Sequence, residues 1–250
     1  QDYVDFYKFL ENTRDEPETW LHLSSDAPVQ FSAILYLPKT SFERLGLFKA
    51  EPGVDLYSRK VLIEKGSKDI MPEYLRFVQG VVDSEDIPLN ISRETIQSNV
   101  KIDRIRKHLL KQILSHLKKL KDKDRESYLR IWENFSRNLK EGVATDPDNK
   151  DRLAHLLFFH SSKKTGAELL DLKEYAAGMA EDQKEIYYLT GLDLESLEKD
   201  PALEAFRKKD LEVLFLDDPL DEFVVEHLQE YDGKPFRRAE SADIKVQKPE

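Results

Sequence analysis

The 250-residue chain has no cysteine. That removes disulfides, thiolate–zinc sites and cysteine nucleophiles together, and it fits a reducing cytosol. Glycine is scarce, at nine residues, and neither a Walker-type nor a dinucleotide glycine pattern occurs, so the chain alone is not expected to hold a nucleotide. No apolar run approaches the roughly 18 residues of a membrane-spanning helix. Gln1-Asp2-Tyr3 opens without the basic and apolar regions of a secretory signal. The expectation is a cytoplasmic protein that does not use a membrane. What is present is 35% charged and 40% hydrophobic residues with a formal charge of −10. The apolar share suffices for a core, and the length accommodates one or two compact units.

Charge is unevenly placed. Residues 99–140 carry 13 basic and 5 acidic side chains, whereas residues 181–232 carry 5 basic and 17 acidic ones. A basic band can attract nucleic acid. Here the aromatics of the band fall on the apolar face and not among the lysines, so no stacking platform for bases forms. A solvated outer face of two amphipathic helices accounts for the pattern better, and no nucleic-acid partner is expected.

Periodicity predicts an opening helix through Tyr3, Phe6, Tyr7 and Leu10. Strands are predicted over 30–37, ended by Pro38, and over about 56–64, where Tyr57, Arg59, Val61 and Ile63 alternate with Ser58, Lys60 and Leu62. Thr40 or Ser41 can cap a short helix through Phe42 and Leu45, and Pro72 opens another through Phe77. Residues 83–90 should be irregular, because Pro88 biases Ile87 away from helix. Ile102, Ile105, Leu109, Ile113, Leu117 and Leu120 then mark a long helix. A second runs from a cap near Asp124 to Gly142, and a third restarts at Asp146-Pro147. The last third alternates: a capping box at Asp171 and Glu174 opening a helix through Met179, a strand at 186–189, a helix broken by Pro201, and a strand at 213–216. It closes with a helix capped by Asp218-Pro219, through Phe223 and Leu228, that ends at Gly233. This alternation predicts a small parallel sheet with covering helices. The fold class is α/β, mixed α+β in detail: two αβα units, 1–121 and 158–250, joined by a helical connector, 122–157.

Candidates for chemistry are few. His108 and His116 lie two turns apart but lack a third ligand, so no metal site is expected. Arg93 and Gln97 fall at i and i+4 near a helix start, where a guanidinium fork, a neutral amide and helix N-terminal amides suit a phosphate. Alternatively, Arg93 pairs with Glu85, Asp86 or Glu94 merely to hold the loop. On spacing alone the second alternative is the stronger.

The run Gly80-Val81-Val82-Asp83-Ser84-Glu85-Asp86-Ile87-Pro88-Leu89-Asn90-Ile91-Ser92-Arg93-Glu94 resembles the signature of the ninety-kilodalton heat-shock chaperone family. Leu56 to Ile63, Phe6-Tyr7-Lys8 and Lys184 to Thr190 resemble further elements of that family. Tyr231-Asp232-Gly233-Lys234-Pro235-Phe236 is similar to its bacterial branch. The resemblance covers nearly the whole chain and implies the middle domain of such a chaperone, cut before the C-terminal dimerisation domain. ATP and Mg2+ would be held by a separate N-terminal domain, to which Arg93 and Gln97 would be delivered with support from Asn90. The remaining partners implied are unfolded or partly folded client proteins, with Trp20, Phe42 and Phe48 as candidate contacts. The fragment itself is expected to be a monomer without ATPase activity of its own. Two other functions stay open at this point: a phosphotransferase in its own right, and a nucleic-acid module using the basic band.

Overall fold

The computed structural model describes residues 1–41, 43–44, 46, 49–89, 99–164, 166 and 168–242. Expectations that fall on Phe42, Leu45, Phe48, Asn90, Arg93 and Gln97 lie outside the described residues. The chain is mixed α/β and divides into two compact units, Gln1–Asn138 and Leu139–Glu250.

Unit 1 opens with helix α1 (Asp2–Leu10), then strands β1 (Pro17–Ser25), β2 (Phe31–Pro38), β3 (Gly53–Ser58), β4 (Val61–Glu64) and β5 (Gln79–Asp83). Helix α2 (Val100–Lys123) and the first part of α3 (Arg125–Thr145) complete it. The sheet order is β1-β2-β5-β3-β4, with β5 antiparallel to β2 and parallel to β3. Helix α2 begins where Asn99 Oδ1 accepts the Lys101 and Ile102 amides, and it buries the predicted stripe of Ile102, Ile105, Leu109, Ile113 and Leu117. In the sheet, Leu35, Leu37, Val54, Leu56 and Val82 are fully buried.

Two expectations for this unit are corrected, and two of its strands are not anticipated by the sequence. The strand over 56–64 is a hairpin: Arg59 and Lys60 both take left-handed φ values, 49° and 66°, and the Asp83 carboxylate accepts the Lys60 amide at 3.1 Å. Side-chain capping from a distant residue replaces the Asn-Gly signal of such a turn, so the alternation runs through it unbroken. Pro72 precedes only one 3-10 turn, Glu73–Leu75, because four residues later the chain joins the sheet as β5. Strands β1 and β5 carry no strong sequence signal, the first beginning at a proline and the second interrupted by Gly80. That glycine is required: its φ is +142°, and a Cβ there would lie 2.1 Å from the Ile34 carbonyl oxygen of β2.

Unit 2 takes the end of α3, a 3-10 turn at Pro147–Asn149, α4 (Lys150–Ala154), β6 (Phe158–Ser161), β7 (Leu170–Asp171), α5 (Leu172–Ala177) and β8 (Ile186–Thr190). It continues through α6 (Leu194–Glu198), α7 (Leu203–Lys208), β9 (Leu214–Leu216), α8 (Pro219–Leu228), β10 (Glu230–Tyr231) and β11 (Lys234–Arg238). The caps at Asp146, Asp171 and Asp218 form as expected, the second as a complete capping box. Helix ends differ from the prediction: α3 runs through Gly142 to Thr145, whereas two later helices stop early. Helix α5 closes at Ala177, and α8 closes at Leu228, because Gln229 turns left-handed and Asp232-Gly233 makes the β10–β11 hairpin. The sheet order is β10-β11-β8-β9-β6-β7. Strands β8 and β9 pair in parallel as predicted, and β11, which the sequence does not predict, adds a second parallel pair; β6, β7 and β10 add antiparallel pairs, so the sheet is mixed.

Two buried polar hubs organise unit 2. The Tyr175 hydroxyl donates to the Glu212 carbonyl at 2.8 Å and accepts the Tyr187 amide at 3.0 Å, tying α5 to the sheet. Its pKa is raised, by burial above all. Lys140, at the end of α3, contacts Asp221 at 2.7 Å and Asp218 at 2.9 Å on α8. Burial pushes the Asp221 carboxyl up to about 6 although Lys140 pulls it down. Burial opposes the charge of Lys140 too, but the attraction of Asp221 and Asp218 leaves its pKa raised.

Removing one partner of such a pair leaves the other charge buried and uncompensated, which costs about 3–5 kcal/mol. Lys140→Met should destabilise the protein by about that much near pH 8. Without its cation Asp221 ionises only at a still higher pH, so the folded variant binds a proton that the native protein releases above about 6. The loss measured by urea unfolding should therefore shrink from pH 8 towards pH 6 and level off below it.

Candidate functional site

The segment singled out by the sequence follows β5, which ends at Asp83, and precedes α2. Asn90, Arg93 and Gln97 lie outside the described residues, but both flanks are described. On the incoming side, Ser84 Oγ donates to the Gln30 carbonyl at 2.6 Å, and Asp86 Oδ2 accepts the Gln30 amide at 2.8 Å. Both main-chain groups of one residue are thus clasped from over fifty positions away. The Ser58 hydroxyl donates to the Ile87 carbonyl, and Ile87 is buried. Residues 84–89 form turns and bends, as the Pro88 argument requires. On the outgoing side, Asn99 caps α2, and Lys101 Nζ reaches back to Asp86, 3.1 Å from its carbonyl and 3.3 Å from Oδ1. The Gln30 amide first, and Lys101 second, hold the Asp86 carboxyl below the usual range, so it stays ionised into mild acid.

A second segment, residues 39–50, carries the client candidates Phe42 and Phe48, which are outside the described residues. Its described residues are latched to their surroundings. Ser41 Oγ accepts the Arg44 amide at 3.2 Å, the bond expected of a cap, and the Asn134 side chain donates to the Lys39 carbonyl at 3.0 Å. Glu43 makes a two-pronged pair with Arg76, Nη2 at 2.6 Å and Nε at 3.0 Å, and also accepts the Ala50 amide. Arg76 is 1% exposed and donates as well to the Glu73 carbonyl. The bond from Arg76 is the main cause holding the Glu43 carboxyl below its ordinary range. With its amide oriented so that both ends are satisfied, Asn138 offers its oxygen to the same guanidinium at 3.2 Å. Beside this pair, Phe77 and Phe135 stack with centroids 4.2 Å apart.

Trp20 sits on the edge strand β1, opposite Tyr36. It is 39% exposed and stacks on Tyr3, with centroids 5.7 Å apart and planes 23° apart. Tyr3 lies 2.8 Å from His22 Nδ1 and accepts from Tyr36 through its carbonyl. The three rings make a braced aromatic surface. Sequence periodicity misplaced another apolar residue: Phe223, predicted on the apolar face of its helix, points outward at 57% exposure, while Val224, Val225 and Leu228 are buried. Next to Val224 on the helix, it fell within the same short apolar run, and the pattern alone could not separate them.

The basic band follows its pattern in part, since Lys121 and Lys140 are buried and not on a solvated face. Tyr128, Trp132 and Phe135 are buried, and Lys107 is exposed and paired with Asp103. His116 lies 2.8 Å from Thr19 Oγ1, its pKa lowered chiefly by burial, and His108 packs edge-on to Phe31. Among the described residues there is no group of three or more side chains arranged to hold a metal, and no helix long and apolar enough to cross a membrane.

Residues 1–250 match the family model described as Hsp90 protein. The chain is 42% identical over 250 residues to chaperone protein HtpG of Desulfotalea psychrophila, covering all of this chain and 40% of that protein. It is 43% identical over 244 residues to chaperone protein HtpG of Geobacter sulfurreducens, covering 98% of this chain and 38% of that protein. The chain thus spans about two fifths of the length of these relatives. Among solved structures, the middle domain of a Plasmodium falciparum heat shock protein superposes with a TM-score of 0.84 at 29% identity, over 96% of this chain and 95% of that one.

Removing a fully enclosed aromatic costs about 3–5 kcal/mol. With much of its ring in solvent, Trp20→Ala should cost clearly less, as read from the midpoint of denaturant unfolding. A loss in the full range would mean that the ring is structural and not available to a partner.

Proposed function

Because the chain belongs to the Hsp90 protein family, we propose that it is the middle domain of an ATP-dependent chaperone and that it supplies Arg93 to the γ-phosphate of ATP held by a separate N-terminal domain. The observation that carries this reading is the uninterrupted run Gly80 to Glu94 within a chain that matches the family throughout. The anchoring of its described flank supports it, since an arginine delivered from a mobile support would act weakly. Gln97, one turn on, adds a neutral donor, and Asn90 supports the loop. ATP and Mg2+ belong to the other domain. Charge builds on the transferring phosphoryl oxygens, and a guanidinium fork brought to them from outside stabilises that charge.

Clients are the second part of the proposal. Trp20, braced on Tyr3 and partly exposed, is the candidate contact among the described residues, and Phe42 and Phe48 are candidates by sequence. The full-length protein would act in the cytoplasm as a homodimer through its C-terminal domain, whereas this fragment would be a monomer.

In the best systems an arginine acting in this way contributes about 10³–10⁵ in rate, which here is a ceiling, because domain closure must first deliver it. Arg93→Ala in the full-length chaperone should lower ATP turnover at least roughly tenfold. It should leave ATP affinity and the fold of this fragment nearly unchanged. Gln97→Ala should act in the same direction but more weakly, and Arg93→Lys should rescue poorly, since lysine lacks the planar fork. If Arg93→Ala unfolds the fragment, the arginine is structural. If turnover is normal with the fold intact, the proposal fails.

A further inference from the structure

The segment 90–98 has one flank built on the sheet and the other on a helix, and the described bonds do not treat them alike. The incoming flank is fixed several times over: Ser84 and Asp86 clasp Gln30, Ser58 holds the Ile87 carbonyl, and Ile87 is buried. The outgoing flank begins on the first turn of α2, and among the described residues one side chain bonds it directly to the incoming flank. Lys101 Nζ touches both the carbonyl and the carboxylate of Asp86, whose other oxygen is already committed to Gln30. A chain of bonds thus runs from β2's entry at Gln30, through Asp86, to α2.

Both side chains are partly exposed, at 48% and 37%, and pairs open to solvent add little to stability. The placement of a group that must meet a transition state is another matter, because a displacement of about 1 Å costs roughly 10²-fold in rate. An interaction that matters little for folding can matter a great deal for placement. We propose that Asp86 and Lys101 are positioning residues for the ATPase step: their contact sets the separation of the two flanks and thereby where Arg93 is presented. This inference rests on the function proposed above.

The test uses the full-length chaperone, with kcat and KM for ATP and the melting temperature measured for each variant. Lys101→Met should lower kcat by roughly three- to thirtyfold, within the displacement cost given above. The KM and melting temperature should stay close to native, because the nucleotide is bound elsewhere. Asp86→Asn should lower kcat in the same way, since an amide can still accept from Gln30 but no longer attracts the lysine. Lys101→Arg should restore kcat. In an Arg93→Ala background, Lys101→Met should have no further effect, because the group it positions is gone.

If Arg93→Ala is slow but Lys101→Met turns over normally, the positioning role is wrong while the function of Arg93 stands. The role is equally wrong if Lys101→Met slows the Arg93→Ala protein by the same factor as the native one. A fall in kcat that tracks a fall in melting temperature across the variants also counts against it. Normal turnover in Arg93→Ala overturns both readings at once.

Discussion

Strand β5 is the member on which unit 1 depends. It lies at the middle of the five-stranded sheet, antiparallel to one neighbour and parallel to the other, and it runs directly into the segment that carries Arg93. Its approach to β2 is possible only because position 80 has no side chain, a Cβ there falling far inside contact distance of the Ile34 carbonyl. Closeness at Gly80 brings Ser84 and Asp86 within reach of the Gln30 main chain four to six residues later. The signature run therefore serves the fold at one end before it can serve chemistry at the other.

Charge is used in two ways in this protein. Along the surface, pairs such as Lys107–Asp103 and Lys199–Glu195 sit one helical turn apart and matter mainly for solvation. Inside, Arg76 with Glu43 and Lys140 with Asp218 and Asp221 take charges out of water, where the cost of desolvation is met only by close, multiple contacts. The buried pairs connect elements far apart in sequence. The formal charge of the chain, which the surface dominates, says nothing about them.

Much of the architecture could be read from the residues. The long helices, the caps at Asp171 and Asp218, the break at Pro201 and the parallel pairing of β8 with β9 all follow from local rules, because each depends on spacing or on a neighbour a few positions away. What could not be read depends on distant partners. The turn at Arg59-Lys60 is capped by Asp83, β5 is admitted beside β2 by a missing Cβ, and Phe223 differs from Val224 only in which way the helix is rotated against the sheet. Spacing placed Arg93 and Gln97 together on one face, yet spacing alone favoured a structural arginine. The clasp around Gln30 and the reach of Lys101 to Asp86 have no signature in the sequence, since polar residues in a loop look alike until the fold brings them together.

The enclosure of Arg76 bears on how this sequence can change over time. Its guanidinium is held by a carboxylate from residue 43, a carbonyl from residue 73 and an amide from residue 138, with almost none of it in solvent. Loss of the Glu43 carboxylate would leave a buried charge without its counter-ion, and a guanidinium cannot be neutralised by giving up a proton. Positions 43 and 76 are therefore not free to drift independently. A lineage that exchanges one must pass through a weakened intermediate or exchange both almost together. The segment carrying Phe42 and Phe48 inherits that constraint, so variation in its apolar residues has to be accommodated around a fixed polar anchor.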